Sequence, residues 1–254
     1  MKKYSDYKYS SVSMSTDNSF ISALDNLFAQ NNITNIVESG TFIGLGSTTL
    51  LAEAILKSKK PLPVFVTIEV DQKLHKEAVK NLSSYEFIIP KWGLSVSSNH
   101  AKEFIKTDEA ILNHSKYPDV FIDDTEDPVR FYLDEINGML SGPSKKTFSG
   151  KVKELLKNSK KINFEEKIFE TIIPKIKNSN PLFLLDSAGG LGFLEFQKVQ
   201  TLMEGLGHFL ILDDIHHLKH FRSYKEVCEN KDYKVLDKNI EQGWVIAKYS
   251  KTNK

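Results

Sequence analysis

Cysteine is nearly absent: Cys228 stands alone in 254 residues. That excludes a disulfide within the chain and any metal site built from cysteines. No apolar run approaches the length of a membrane-spanning helix, so no membrane partner is expected. Neither sign of charge prevails. Lysine and arginine number 34, aspartate and glutamate 33, for a net charge of +1, and the basic excess of a non-specific nucleic-acid binder is missing. The opening MKKYSDYKYSSVSMSTDNSF has basic residues but not the apolar stretch of a secretory leader; a soluble cytoplasmic protein is the expectation. What the chain does have is 40% hydrophobic and 11% aromatic residues. At this length that is enough to close an α/β core, and it excludes wholesale disorder.

Residues 1–20 are polar and without period, and read as a mobile arm in which Tyr4, Tyr7 and Tyr9 are free to fold over a ligand. Helical spacing begins at Phe20 and runs through Ile21, Leu24, Leu27 and Phe28. From there strand-like and helical runs alternate. The strands are Asn35–Ser39, Val64–Val70, Tyr85–Ile89, Pro181–Asp186 and His208–Asp213, with YKVL and GWVIAKY as a closing hairpin. Strands apolar on both faces and separated by helices predict a mostly parallel sheet covered on both sides. A stretch of different character, about 105–163, is broken by Pro128, Gly138, Gly142, Pro143 and Gly150. It reads as a cap inserted into a single domain spanning 21–254. DVFID within it (Asp119–Asp123) also looks like a strand; PLFLLD is preferred as the fourth because FEEKIFETIIPKI before it makes a good crossover helix.

The strongest constellation is Glu38-Ser-Gly40-Thr-Phe-Ile-Gly44-Leu-Gly46-Ser47, at the carboxyl end of the first strand and opening into a helix. Ligands bind at that position in α/β folds. The glycines permit positive φ and close approach of a ligand, and Ser47 and Thr48 suit the N-cap. The turn departs from GxGxxG, because Phe42 stands where a dinucleotide fingerprint has its second glycine. Glu69 ends the second strand 23 positions after Gly46, where a carboxylate can take both hydroxyls of a ribose.

On these residues the chain resembles the class I S-adenosylmethionine-dependent methyltransferases, in particular the metal-dependent small-molecule O-methyltransferases of the catechol and macrolide-sugar types. The resemblance covers residues 31–104 and 164–249, in pieces, and rests on E-x-G-x-aromatic-x-G-x-G-S and on Thr67-Ile68-Glu69-Val70-Asp71. It implies a Rossmann-like methyltransferase fold and S-adenosylmethionine as cofactor. Glu38 and Gly40 would hold the methionine end within the turn that Gly44, Gly46 and Ser47 complete. Glu69 would hold the ribose, and Trp92-Gly93-Leu94-Ser95 would flank the adenine.

Two later strands end in acids, Asp186 and the pair Asp213-Asp214. Neighbouring parallel strands end on one edge, so these carboxylates can converge, and three carboxylates suit Mg²⁺. The resemblance implies a divalent cation there that activates a substrate hydroxyl. His216, His217 and His220 follow. His216 matches the general base proposed for some sugar O-methyltransferases, and an imidazole suits proton removal near neutral pH. His216 and His220 would share a face if this stretch were helical. One departure is Gly189, which stands where catechol-type enzymes keep a lysine, so a lysine base at that position is not expected.

Ten lysines and four glutamates between Lys145 and Lys177 could attract an anionic acceptor, although a solvated face explains them as well. Asp123-Asp124-Thr125-Glu126-Asp127 reads as a second cation or amine site or as an exposed turn. The expectation is therefore transfer of a methyl group to a hydroxyl of a small molecule, with Mg²⁺ on Asp186, Asp213 and Asp214 and proton transfer by His216 and Asp214. Nucleic acid is disfavoured as a partner, and self-association stays open. The alternatives are a nicotinamide-dependent oxidoreductase and a non-catalytic nucleoside-binding protein on the same fold.

Overall fold

Alternation along the strands decides the architecture. The computed structural model describes residues 17–141, 163–187 and 190–251; Tyr4, Tyr7, Tyr9, Gly189 and most of the lysine-rich stretch lie outside them. Among the described residues the chain runs α1 (Asn18–Gln30), β1 (Asn35–Ser39), α2 (Ser47–Ser58), β2 (Val64–Glu69), α3 (Gln72–Asn81) and β3 (Ile88–Trp92). It continues through α4 (Ser98–Thr107), the single turn α5 (Glu109–Leu112), α6 (Pro128–Ser141), α7 (Ile168–Ile176) and β4 (Leu182–Leu185). It ends with α8 (Gly192–Met203), β5 (His208–Leu212), α9 (Phe221–Glu229), β6 (Tyr233–Asn239) and β7 (Trp244–Tyr249).

The seven strands form one sheet in the order β3-β2-β1-β4-β5-β7-β6. The five strands β1 to β5 are parallel, and β7 runs antiparallel between β5 and β6. This is the expected Rossmann-like α/β architecture, a mostly parallel sheet with PLFLLD as the fourth strand and the last two strands as a hairpin. From β1 the chain winds outward to β3, then returns to β4 on the other side of β1. The carboxyl ends of β1 and β4 therefore flank the point where a crevice opens.

Successive strand residues serve opposite faces. Ile36, Phe65, Leu182, Leu184, Phe209, Ile211 and Ile246 pack with α1, α2 and α3 in one apolar layer. Val37, Val66, Phe183, Leu185, Leu210, Leu212 and Val245 pack with α7, α8 and α9 in the other. A third cluster joins Ala101 and Ile105 of α4, Ala110 and Ile111 of α5, and Tyr132 and Ile136 of α6 to Leu191, Leu194 and Leu218. The described part of the expected cap thus shares its core with the start of α8 and the loop after β5. DVFID adds no strand to the sheet; it makes one isolated parallel bridge, Phe121 to His217.

Two local expectations need correction. The third strand lies three residues later than the aromatic run indicated. Tyr85 and Phe87 belong to the turn before it and pack edge to face, whereas Pro90, beyond the expected end, lies inside the strand. Because β3 is an edge strand, the missing N–H of Pro90 costs no ladder bond. The helix expected from Phe20 starts two residues earlier, because Asp17 caps it: its carboxylate accepts the N–H groups of Ser19 and Phe20. The other oxygen of Asp17 accepts the indole N–H of buried Trp244 at 2.7 Å, which ties α1 to β7.

Asp17→Ala removes a helix cap and leaves the Trp244 N–H without an acceptor. Unfolding in urea should show a loss of about 2 kcal/mol, with Asp17→Asn retaining most of the stability.

Candidate functional site

Beyond the carboxyl ends of β1 and β2 the glycine turn is folded around two buried glutamates. Glu38 points to the face of α2. Its carboxylate accepts hydrogen bonds from Ser47 Oγ (2.7 Å), Thr48 Oγ1 (2.7 Å) and Thr67 Oγ1 (2.6 Å), and it is fully shielded from solvent. Burial pushes Glu38 up to about 7 against these three donors. This corrects one expectation. Ser47 and Thr48 do not cap α2; Gly46 occupies the cap position without a side-chain bond, and the two hydroxyls turn inward to the acid. Glu38, engaged by three hydroxyls of the chain, holds the turn and β2 in place.

Ser39, one residue on, serves the other face. Its Oγ donates to Glu195 of α8 at 2.8 Å, and Ser187 Oγ donates to the same oxygen at 2.7 Å. Ser95 Oγ donates to the second oxygen. Glu195 is a second fully buried carboxylate held by three hydroxyls, and burial raises it despite them. Sequence reading passed over it, because a glutamate within an apolar helix gives no signal until its three serine partners are placed.

The glycines are explained by packing. Gly40 lies at φ +96°, and a Cβ there would come within 2.2 Å of the Asp186 carbonyl oxygen; at Gly44, φ +79°, it would press on Leu82. Gly40 therefore lets the ends of β1 and β4 close on each other. The expected adenine flank is engaged in the same manner. Gly93 is bridged to Glu165 with no room for a side chain, Leu94 is buried, and Ser95 belongs to Glu195. Trp92 donates its indole N–H to the Val70 carbonyl at 3.0 Å and meets Phe164 edge to face. These residues join β3 to the segment leading into α7.

Glu69 is placed differently. One oxygen accepts the Phe42 N–H at 2.8 Å and the other the Asp71 N–H at 2.8 Å, so both oxygens are oriented by backbone under the glycine turn. Phe42 itself sits at φ +53°, a glycine-like backbone in a residue with a bulky side chain. Burial pushes Glu69 up to about 7. A carboxylate has about four acceptor positions, and the two backbone donors leave others for a ligand.

The second expected cluster does form. Asp186, Asp213 and Asp214 bring one carboxylate oxygen each to within 4.8 Å of one another. The structure adds what sequence reading passed over: the Lys219 ammonium lies among them, 2.8 Å from Asp186 Oδ1 and 2.8 Å from Asp214 Oδ2. Burial alone would lower this lysine, but Asp186, Asp214 and Asp213 together raise it well above its ordinary value. In turn Lys219 holds Asp214 down at about 2, whereas burial and its acidic neighbours raise Asp213 well above the carboxylate range. The donor chemistry suits a divalent cation, but the position on two of the three acids is taken by an ammonium of the chain itself. With Lys219 seated there, the arrangement does not fit the expected Mg²⁺.

The histidines separate. His216, the expected base, is exposed, and its Nε2 donates to the Ile240 carbonyl at 2.6 Å in the turn between β6 and β7. His217 accepts the Lys219 N–H on Nδ1 (3.1 Å), so the proton sits on Nε2 and is donated to Asp123 at 3.1 Å. His220 is buried, with its ring against Gly192. The stretch is a series of turns rather than a helix, so His216 and His220 share no face. The acids after Asp123 form a turn: Asp124 accepts the N–H groups of Glu126 and Asp127, and Asp127 accepts that of Arg130 at the start of α6.

No protein-family model matches the chain, and no curated protein does. Among solved structures it is similar to an O-methyltransferase from Bacillus cereus in complex with SAH, at 11% identity over 97% of this chain and 88% of that one, with a TM-score of 0.46. It is also similar to the O-methyltransferase TomG from Streptomyces achromogenes in complex with SAM, at 13% identity over 98% and 97%, TM-score 0.46. A third is the fibrillarin pre-rRNA processing protein of Methanococcus jannaschii, at 12% identity over 86% and 66%, TM-score 0.40. These are likenesses of fold alone.

Glu38 gives the site a pH signature. Its folded value of about 7 lies above the ordinary glutamate value of 4.5, so the folded state binds the proton more tightly than the unfolded one. The stability this confers is complete below 4.5 and is lost as pH rises through about 7. In urea titrations between pH 5 and 8, Glu38→Gln should flatten the decline by up to about 1.4 kcal/mol per pH unit. An unchanged slope would remove Glu38 as its source.

Proposed function

We propose that this chain is an S-adenosylmethionine-dependent methyltransferase acting on a hydroxyl of a small molecule, such as a sugar, a phenol or a natural product. The observation that carries the reading is Glu69: an acid at the end of β2, oriented by Phe42 N–H and Asp71 N–H beneath the glycine turn, next to the divergence between β1 and β4. A nucleoside diol is the natural partner for a carboxylate so placed. When bound, S-adenosylmethionine supplies a methyl group made electrophilic by its sulfonium.

The chain's own contribution is position and charge. Asp214 stands at the exposed rim of the acid cluster, its backbone at φ +54° and its carboxylate against Lys219. It would accept the hydrogen bond of the acceptor hydroxyl and take its proton as that oxygen bonds to the methyl carbon and the methyl carbon–sulfur bond breaks, with S-adenosylhomocysteine as the leaving group. Held at about 2 by Lys219, Asp214 is a weak base, so most of the acceleration comes from holding the hydroxyl in line. Of the pair His216 and Asp214, His216 is turned to the Ile240 carbonyl, and Asp214 carries the proton transfer. A nicotinamide cofactor is disfavoured by Phe42, whose side chain stands where a dinucleotide's pyrophosphate needs a bare backbone.

Calorimetric titration with S-adenosylhomocysteine tests the reading. Micromolar binding is expected, weakened about tenfold or more in Glu69→Gln, with no heat from NAD. Absence of S-adenosylhomocysteine binding would overturn the proposal.

A further inference from the structure

The acid cluster is held in a way that a solvated cation site is not. Lys219 is held at both ends. Its N–H is bonded to His217 Nδ1, and the N–H of Leu218 before it is bonded to the Phe121 carbonyl. Phe121 in turn donates its N–H to the His216 carbonyl, so the bridge from the cap segment locks the loop that delivers the lysine. At the other end the ammonium meets Asp186 and Asp214 at 2.8 Å each, with the side chain 8% exposed. Asp213 supplies the third carboxylate of the same group.

An ammonium offers three donors and one positive charge at a compact point. To coordinate a divalent ion, Asp186 and Asp214 would have to release it, leaving a largely buried ammonium without partners at a cost that a metal–carboxylate contact must exceed. We infer that Lys219 is the resident cation of this site, tethered by the Phe121 bridge to Asp186, Asp213 and Asp214 in the place of a divalent metal ion. The inference deepens the methyl-transfer reading and relies on it only for the meaning of the site: the positive charge beside the acceptor hydroxyl comes from the chain and is always present. Binding of a metal can be tested without any activity.

The test is titration of the full chain with Mn²⁺, followed by electron paramagnetic resonance of the free ion, for wild type, Lys219→Met and Lys219→Arg. Wild type and Lys219→Arg should leave the free Mn²⁺ signal unchanged. Lys219→Met should bind one ion at least roughly a hundredfold more tightly than wild type, and the binding should disappear in Lys219→Met/Asp214→Asn. If Lys219→Met is too unstable to titrate, Mn²⁺ should raise its melting temperature and leave that of wild type unmoved. Stoichiometric binding by wild type would overturn the inference. So would a Lys219→Met protein that neither binds Mn²⁺ nor is stabilised by it. In parallel, S-adenosylhomocysteine binding to wild type should be the same in excess chelator. If it is absent in both buffers the methyltransferase reading fails, while the Mn²⁺ result still decides the identity of the cation.

Discussion

β1 carries two adjacent polar side chains into the middle of the molecule, and the need to satisfy them there constrains the whole site edge. Because consecutive strand residues point to opposite faces, Glu38 enters one layer and Ser39 the other. Each becomes part of a buried carboxylate held by three hydroxyls. Glu38 draws in Ser47 and Thr48 of α2 and Thr67 of β2. Glu195 draws in Ser39, Ser95 after β3 and Ser187 after β4. A carboxylate in an apolar interior is tolerated only when its oxygens are hydrogen-bonded. The two networks therefore fix how the connections after β1, β3 and β4 leave the sheet, and the upper rim of the fold is built on them.

The rim so fixed has two halves of different electrical character. On the β2 side, Glu69 is buried and oriented by backbone N–H groups, with no cation beside it among the described residues. On the β4–β5 side, the charge of Asp186 and Asp214 is answered by a lysine that arrives from beyond β5. Buried ion pairs are weak evidence for stability, and their better-attested use is to fix one arrangement among several. Here the arrangement depends on the cap: the Phe121 bridge sets the loop, and His217 accepts the Lys219 N–H and donates its Nε2–H to the Asp123 carboxylate. The segment read from sequence as an insertion is thus coupled to the acid cluster through backbone as well as through the apolar contacts of Leu218.

Much of the fold was legible because it rests on local pattern. Runs of β-branched and aliphatic residues bounded by turn residues located five of the seven strands within a residue at each end, YKVL found the start of β6 but stopped three residues short of its end, and the crossover helix before PLFLLD settled the fourth. The third strand was misplaced because the decisive fact was its position at the sheet edge, where Pro90 is harmless. Of the candidate site, the acids were legible from their place at strand ends, since parallel neighbours end together. The partners of those acids were not. Ser47 and Thr48 look like caps, Ser95 like part of a loop, and Lys219 like one more surface lysine, until the strands bring them beside Glu38, Glu195 and Asp186.

The sequence by itself therefore determined the layers, the sheet, and which strand ends carry carboxylates, because these follow from periodicity and from the shared direction of parallel strands. Only the tertiary structure decided which groups neutralise those carboxylates. That depends on contacts between residues far apart in the chain, such as Ser39 with Glu195 and Lys219 with Asp186. No spacing rule connects such pairs; what connects them is the cost of leaving a buried charge unpaired.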